Sequence, residues 1–183
     1  MNRSFNTKKT ILAAFFAALT AVLSIVSFPL PFSPVPINFA LLSVLLSGTL
    51  LGPRFGALSQ LVYVLIGAAG LPVFHSMTGG LSILAGPTGG YLAGYIAAAF
   101  VAGSISAPGG APFSHASSFP APRLLGPLLG VLACYLLGTL WFMYITEASL
   151  ATALVLCVIP FLPGDGIKIA LTLFLTRRLR PLV

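Results

Sequence analysis

Acidic residues are almost missing from this sequence: Glu147 and Asp165 are the only two among 183 residues. Charged residues of both signs make up 6% of the chain, against about 25% in soluble domains. So few charges cannot cover the surface of a water-soluble chain of this size, which excludes an ordinary cytosolic enzyme and an acidic disordered protein. Cysteine is scarce as well. Cys134 and Cys157 both lie in apolar runs, where they read as small buried hydrophobes rather than as a disulfide framework or a metal site. No cleavable signal peptide is expected, because the apolar run Ile11–Phe28 is too long for an h-region and no small-residue cleavage site precedes a polar domain.

What the chain has is apolar length. Hydrophobic residues make up 58% of it, and the mean hydropathy is +1.08. Runs such as Ile11–Phe28 and Leu128–Ile145 are apolar on every face. A membrane β-barrel needs alternating apolar and polar residues instead, so the expectation is an all-α integral membrane protein. At about 20 residues per span, the length accommodates six transmembrane helices in a single domain. The expected spans are about Thr10–Phe28, Ile37–Leu51, Ala57–Ala69, Thr88–Ser106, Leu124–Ile145 and Gly164–Arg178. Pro29, Pro31, Pro34 and Pro36 predict an extended loop after the first span. Gly52 to Gly56 predicts a tight turn, and Gly70 to Pro87 a Gly-rich connection. Residues 107–123, with four prolines, are the most polar stretch. Thr146–Leu162 has an apolar core too short for a comfortable span.

The net charge of +7 would suggest nucleic acid in a soluble protein. Here the basic residues flank apolar segments without aromatic interleaving, so no nucleic-acid surface is expected. With the N-terminus in the cytoplasm and six spans, eight of the nine Lys/Arg residues fall inside. They are Arg3, Lys8, Lys9, Arg54, Arg123, Arg177, Arg178 and Arg180, and the segments 29–36, 70–87 and 146–162, expected outside, contain none. The positive-inside bias therefore places both termini in the cytoplasm. It also puts His75 and His115 on opposite sides, so they cannot share a site.

The ninth basic residue is Lys168, within the last span and three residues after Asp165. Each charge at mid-membrane costs about 2.5–3.5 kcal/mol before pairing. Positions i and i+3 share a helix face, and the helix N-terminus after Pro163 favours the carboxylate. The pair reads either as a self-neutralising lock or as a substrate or ion site, and intramembrane charges favour the second. Asp165 begins its span on the same side as the Pro- and Gly-rich loops. Irregular backbone at membrane depth survives where it is buried in protein or lines a wet cavity. Gly86-Pro87-Thr88-Gly89-Gly90-Tyr91 adds glycines that permit close backbone approach, a hydroxyl and a phenol. It lacks the lysine and the spacing of a phosphate loop. Together these segments predict an outward-facing pocket for a small, partly apolar ligand with a polar head.

The first span carries the small-residue pairs Ala13/Ala17, Ala14/Ala18 and Ala17/Ala21. They fit either packing inside the bundle or docking onto another membrane subunit.

Several segments resemble the BioY family, the biotin-specific substrate-binding (S) components of energy-coupling factor (ECF) transporters. They are Pro34-Val35-Pro36-Ile37, Leu51 to Gln60, Gly67 to Phe74, Gly86 to Leu92, and Pro160 to Asp165 with Lys168. The resemblance runs in order over nearly the whole chain. It implies a multi-pass protein of the cytoplasmic membrane, in contact with lipid, that captures biotin from outside. It also implies partnership with a transmembrane coupling subunit and a pair of cytoplasmic ATPases, and no cofactor. The family's substrate-binding Asp and Lys correspond to Asp165 and Lys168. The expected site adds Thr88, Gly89, Tyr91, Thr78, Phe74 and Asn38, while Ala14 and Ala18 become the expected docking residues. The chain departs from the family at Asn38-Phe39-Ala40, where a Thr-Leu-Gln is usual, and in the length of its 107–123 loop.

Nothing in the chain resembles a nucleotide site, so ATP hydrolysis falls to the partners. An S component for another small vitamin would share the fold and docking face, and a ligand panel separates the two. An intramembrane enzyme using Asp165 as acid or base is a poor third, since one carboxylate stands without a Ser-His or Cys-His arrangement.

Overall fold

The structure is a computed structural model that describes residues 7–31, 33–106 and 121–182. Its helices follow the apolar runs. They are α1 (Thr7–Ile25), α2 (Ala40–Leu51), α3 (Pro53–Ala68), the short α4 (Leu81–Ala85), α5 (Gly89–Ser106), α6 (Ala121–Thr146), α7 (Leu150–Cys157) and α8 (Leu162–Leu179). Among the described residues four stretches are long and apolar enough to cross a membrane: Thr7–Ile25, Gly89–Ser106, Leu124–Thr146 and the α7–α8 stretch Leu150–Leu179. Ala40–Leu51 is apolar but shorter.

Two boundaries differ from expectation. The Pro-rich segment after α1 is an antiparallel hairpin of β1 (Ser27–Leu30) and β2 (Ser33–Asn38), so the fold is not purely helical. Ser27 pairs with Asn38 and Phe28 with Ile37, and the register then slips before Leu30 pairs with Ser33. Pro29 sits at the slip because it has no N–H for the ladder. A two-stranded sheet is all edge, so prolines are tolerated in it. The expected 52–56 turn shrinks to one residue. Gly52 takes φ +86°, and Pro53 opens α3 directly, since proline at the first helical position sacrifices a donor that has no partner there anyway. The segment 146–162, too short to span, holds α7 capped by Ser149, whose Oγ accepts from Thr152 N. Pro160 and Pro163 then re-aim the chain into α8. Residues 107–120 of the polar stretch, and His115 with them, lie outside the described residues.

Helix faces are sorted inversely to those of a soluble protein. Along α6, Leu124, Leu128, Leu132, Leu136, Leu140 and Tyr144 form an exposed i+4 row. The inward face carries Val131, Cys134, Tyr135, Thr139 and Phe142, all buried. An apolar outer row with polar groups inside is the arrangement lipid favours. Small residues bring the inner helices close. A Cβ on Gly94 of α5 would lie 3.0 Å from the Cys134 carbonyl oxygen of α6, and one on Gly48 of α2 would lie 2.3 Å from the Ala99 carbonyl oxygen of α5.

α1 divides its small residues between two faces. Ala13 and Ala17 are buried against the bundle, 3% and 4% exposed, whereas Ala14 and Ala18 face outward. The fully buried Thr20 hydroxyl lies 2.8 Å from the Phe16 carbonyl oxygen and 2.9 Å from Ser43 Oγ of α2, and this shared hydrogen bonding fixes α1 in rotation. At the opposite end of α2, Thr49 meets Thr176 of α8 at 3.1 Å, and the Arg180 guanidinium donates to the Ser106 carbonyl at the end of α5. The C-terminal ends of α2, α5 and α8 therefore gather at one end of the bundle. The hairpin and the N-terminal ends of α2, α5 and α8 gather at the other.

Candidate functional site

A cavity of about 610 Å³, counting its open mouth, lies at the hairpin end. β2 contributes Val35, Pro36 and Asn38, and the segment before α4 contributes His75. Thr88, Tyr91, Leu92 and Tyr95 come from the start of α5, Cys134 and Tyr135 from α6, Cys157 from the end of α7 and Phe161 from the α7–α8 connection. Asp165 and Lys168 line it from the first turns of α8.

The electrostatic centre is this last pair. Asp165 is 4% and Lys168 5% exposed. Pro163 near the start of α8 sets the helix, and the i, i+3 spacing puts both side chains on its inner face. Lys168 Nζ donates to Asp165 Oδ1 at 2.7 Å. The Tyr135 hydroxyl donates to Asp165 Oδ2. Each carboxylate oxygen thus holds one protein donor and keeps a second lone pair. Among the described residues Lys168 has one acceptor, Asp165, which leaves two of its three N–H donors for a ligand. The pair adds no net charge to the cavity, and its charged hydrogen bonds offset desolvation.

The walls are aromatic and held by polar tethers. The Tyr91 hydroxyl donates to the Cys157 carbonyl at 3.3 Å. Trp141 Nε1 donates to the Gly86 carbonyl at 2.9 Å and ties the glycine turn to α6. Asn38 Oδ1 accepts from Ala40 N at 3.1 Å, capping α2 from outside, and lies 3.5 Å from the Tyr95 hydroxyl. At the mouth, His75 Nε2 is 3.4 Å from Thr88 Oγ1. Burial pushes the His75 imidazole below its ordinary 6.5, so the ring is neutral at pH 7. The His75 segment is clipped to the hairpin, for Ser76 N donates to Ser27 Oγ at 3.0 Å. Among the described residues no cluster of three His, Cys, Asp or Glu side chains is placed to hold a metal ion.

The BioY family model matches residues 1–183. The chain belongs to the BioY family. Among its relatives, the probable biotin transporter BioY of Pyrococcus horikoshii is 35% identical over 173 residues, covering 94% of this chain and 96% of the relative. The biotin transporter BioY of Thermotoga maritima is 35% identical over 175 residues, covering 96% and 97%. Among solved structures, the S-component for biotin from an ECF-type ABC transporter superposes with a TM-score of 0.83 at 29% identity, over 99% of this chain and 95% of that one.

In this BioY chain, five of the eight expected site residues line one cavity: Asp165, Lys168, Thr88, Tyr91 and Asn38. Gly89, Thr78 and Phe74 are not among its lining residues. Gly89 is drawn tight against the Leu84 carbonyl, where a Cβ would lie 1.8 Å from the oxygen. Thr78 closes its own turn by donating to the His75 carbonyl at 2.8 Å. Phe74 is fully buried and packs edge-on against Tyr63 at 5.5 Å between centroids. Tyr135 and Tyr95 are outside the expected set although they line the cavity. A phenol within an apolar span was the one signal available for each. Cys134 and Cys157, read as buried small hydrophobes, are free and 2% and 1% exposed, and both also border the cavity.

Proposed function

We propose that this chain is the biotin-binding subunit of an ECF-type transporter, capturing biotin from outside the cell for uptake across the cytoplasmic membrane. The observation that carries the reading is a buried Asp–Lys pair in the wall of a cavity otherwise lined by apolar, aromatic and uncharged polar side chains, in a chain of this family. Biotin has a neutral ureido head with two N–H donors and one carbonyl, an apolar bicyclic body and an anionic tail. The free lone pairs of Asp165 accept the ureido N–H groups, and Lys168 donates to the ureido carbonyl. Tyr91, Leu92, Tyr95 and Phe161 enclose the bicycle. The relatives are transporters, and the chain acts as a transport subunit and not as an enzyme.

The proposed topology keeps the six spans with both termini in the cytoplasm. It is supported by the gathering of Lys9, Arg54 and Arg177 at helix ends opposite the cavity. Ala14 and Ala18 form the face that meets a transmembrane coupling subunit, with a pair of cytoplasmic ATPases beneath it. Two exposed alanines one turn apart let a partner backbone approach closely.

The test is equilibrium binding of labelled biotin to the purified protein, with unlabelled biotin, riboflavin and thiamine as competitors. Saturable binding displaced by biotin alone is expected. Binding of another vitamin with no saturable biotin signal overturns the assignment.

A further inference from the structure

The Asp165–Lys168 pair answers the head of the ligand but leaves its charge unanswered. A carboxylate brought to Lys168 would also face Asp165, whose Oδ1 lies 2.7 Å from the same ammonium. The cancelling charges give an anion little net attraction there. The tail therefore needs a donor elsewhere on the cavity wall. Ionisable groups lining that wall, apart from Asp165 and Lys168 on α8, are Tyr91 and Tyr95 of α5, Cys134 and Tyr135 of α6, Cys157 of α7, and His75. Tyr135 donates to Asp165 and Tyr91 to the Cys157 carbonyl. The thiols are weak donors. From α1 and the hairpin, Ser24 and Asn38 add polar groups without charge. Among the described residues that line the cavity, His75 alone can present a new positive charge without breaking an ion pair.

Its surroundings suit that task. His75 is half-buried, lines the cavity, and has Thr88 Oγ1 at 3.4 Å from Nε2 as a second donor group. Ser76, which follows it, is held to Ser27 of the hairpin by two contacts of 3.0 and 3.2 Å, so the segment is pre-positioned. Resting on the biotin reading above, we propose that His75, with Thr88, seats the carboxylate tail of the ligand and takes up a proton as it binds.

The sign of the linkage follows from the direction of the shift. In the empty site burial holds His75 below 6.5 and neutral. A bound carboxylate raises that value, because an opposite charge nearby favours the protonated ring. Affinity for an anionic ligand is therefore full at pH below the empty-site value. It falls as pH rises, by up to about tenfold per unit while the bound form stays protonated. It levels off above the bound-state value. A ligand with an uncharged tail shows no such slope.

The experiment measures Kd for biotin and for biotinamide, whose tail is neutral, on the purified full chain from pH 5 to 8.5. Proton uptake is read in parallel by calorimetry in buffers of different ionisation enthalpy. Biotin is expected to weaken with rising pH and to bind with uptake of a fraction of a proton near pH 7. Biotinamide is expected to show neither effect. In His75→Gln the biotin slope and the proton uptake should both vanish. Identical pH profiles for the two ligands on the native protein, or a slope that survives in His75→Gln, overturn the seat while leaving the biotin reading intact. Failure of both ligands to bind at any pH overturns the biotin reading and the seat together.

Discussion

Replacing Asp165 and Lys168 singly and together separates recognition from helix locking. Both side chains are about 5% exposed, and they share one bridge of 2.7 Å. Asp165→Asn leaves a buried ammonium without its partner, and Lys168→Met leaves a carboxylate held by Tyr135 alone. Breaking a buried pair in this way costs about 3–5 kcal/mol, so each single variant melts well below the native protein. The double variant buries no charge and keeps an amide oxygen for the Tyr135 hydroxyl. Replacing both members of a buried ion pair by uncharged side chains of similar volume is often neutral, so its melting temperature returns close to native. Binding behaves differently. Charge-assisted hydrogen bonds are worth about 1.5–3 kcal/mol each, and the double variant loses at least two of them to the ureido group. The sum, roughly 3–6 kcal/mol, weakens biotin by about two to four orders of magnitude. The assay is thermal unfolding without ligand and biotin Kd for all four proteins. A well-folded double variant with near-native affinity refutes the assignment of the pair to recognition.

Three further outcomes are expected. Ala14→Trp or Ala18→Trp, on the exposed face of α1, leaves biotin binding and melting unchanged but abolishes ATP-driven uptake in cells carrying the coupling module; loss of binding with assembly retained contradicts the docking face. Ser76→Cys, exposed at the hairpin clip, is labelled by an impermeant thiol reagent added outside intact cells, and biotin slows the labelling; background is low because Cys134 and Cys157 are 2% and 1% exposed, and labelling from the cytoplasm alone reverses the topology. Gly48→Ala puts a Cβ 2.3 Å from the Ala99 carbonyl oxygen, so α2 and α5 must part at a cost of about 1–3 kcal/mol; an unshifted melting temperature disproves the close approach.

Charge was the most legible feature of the sequence, because a charge in an apolar run has few places to go. Asp165 and Lys168 could be paired from spacing alone, and they are paired. Helix rotation was far less legible. A run that is apolar on every face does not say which side meets protein, so α1 offered Ala13/Ala17 and Ala14/Ala18 as equivalent pairs. What distinguishes them is the bond of Thr20 to Ser43, a contact across 23 residues. The hairpin was hidden for a related reason. Four prolines argue against strands when read locally, and only pairing across the turn reveals that both strands are edges. Phe74 and Tyr135 show the same limit inside the bundle. One is an aromatic beside a Gly-rich loop that turns into the core against Tyr63. The other is an aromatic in a lipid-like run that turns inward to Asp165. Tertiary packing, and not local pattern, decides between such directions.

The pairing of the two buried charges also bears on what the site selects. A lone aspartate at this depth would favour a cationic ligand, and in the empty state its unpaired burial would be costly. A lone lysine would favour any small anion. With Lys168 and Asp165 joined and Tyr135 on the second oxygen, the empty site is electrically neutral and stable without a ligand. What it retains is a pattern of direction: two acceptor lone pairs on Asp165 beside spare donors on Lys168. A group that complements the pattern must itself be neutral and carry N–H donors next to a carbonyl, as a ureido group does. A carboxylate, phosphate or ammonium satisfies one half and repels the other. In the proposed topology this discrimination operates where water is sparse and unmatched polar groups are most costly, so the pair rejects wrong ligands more strongly than it attracts the right one.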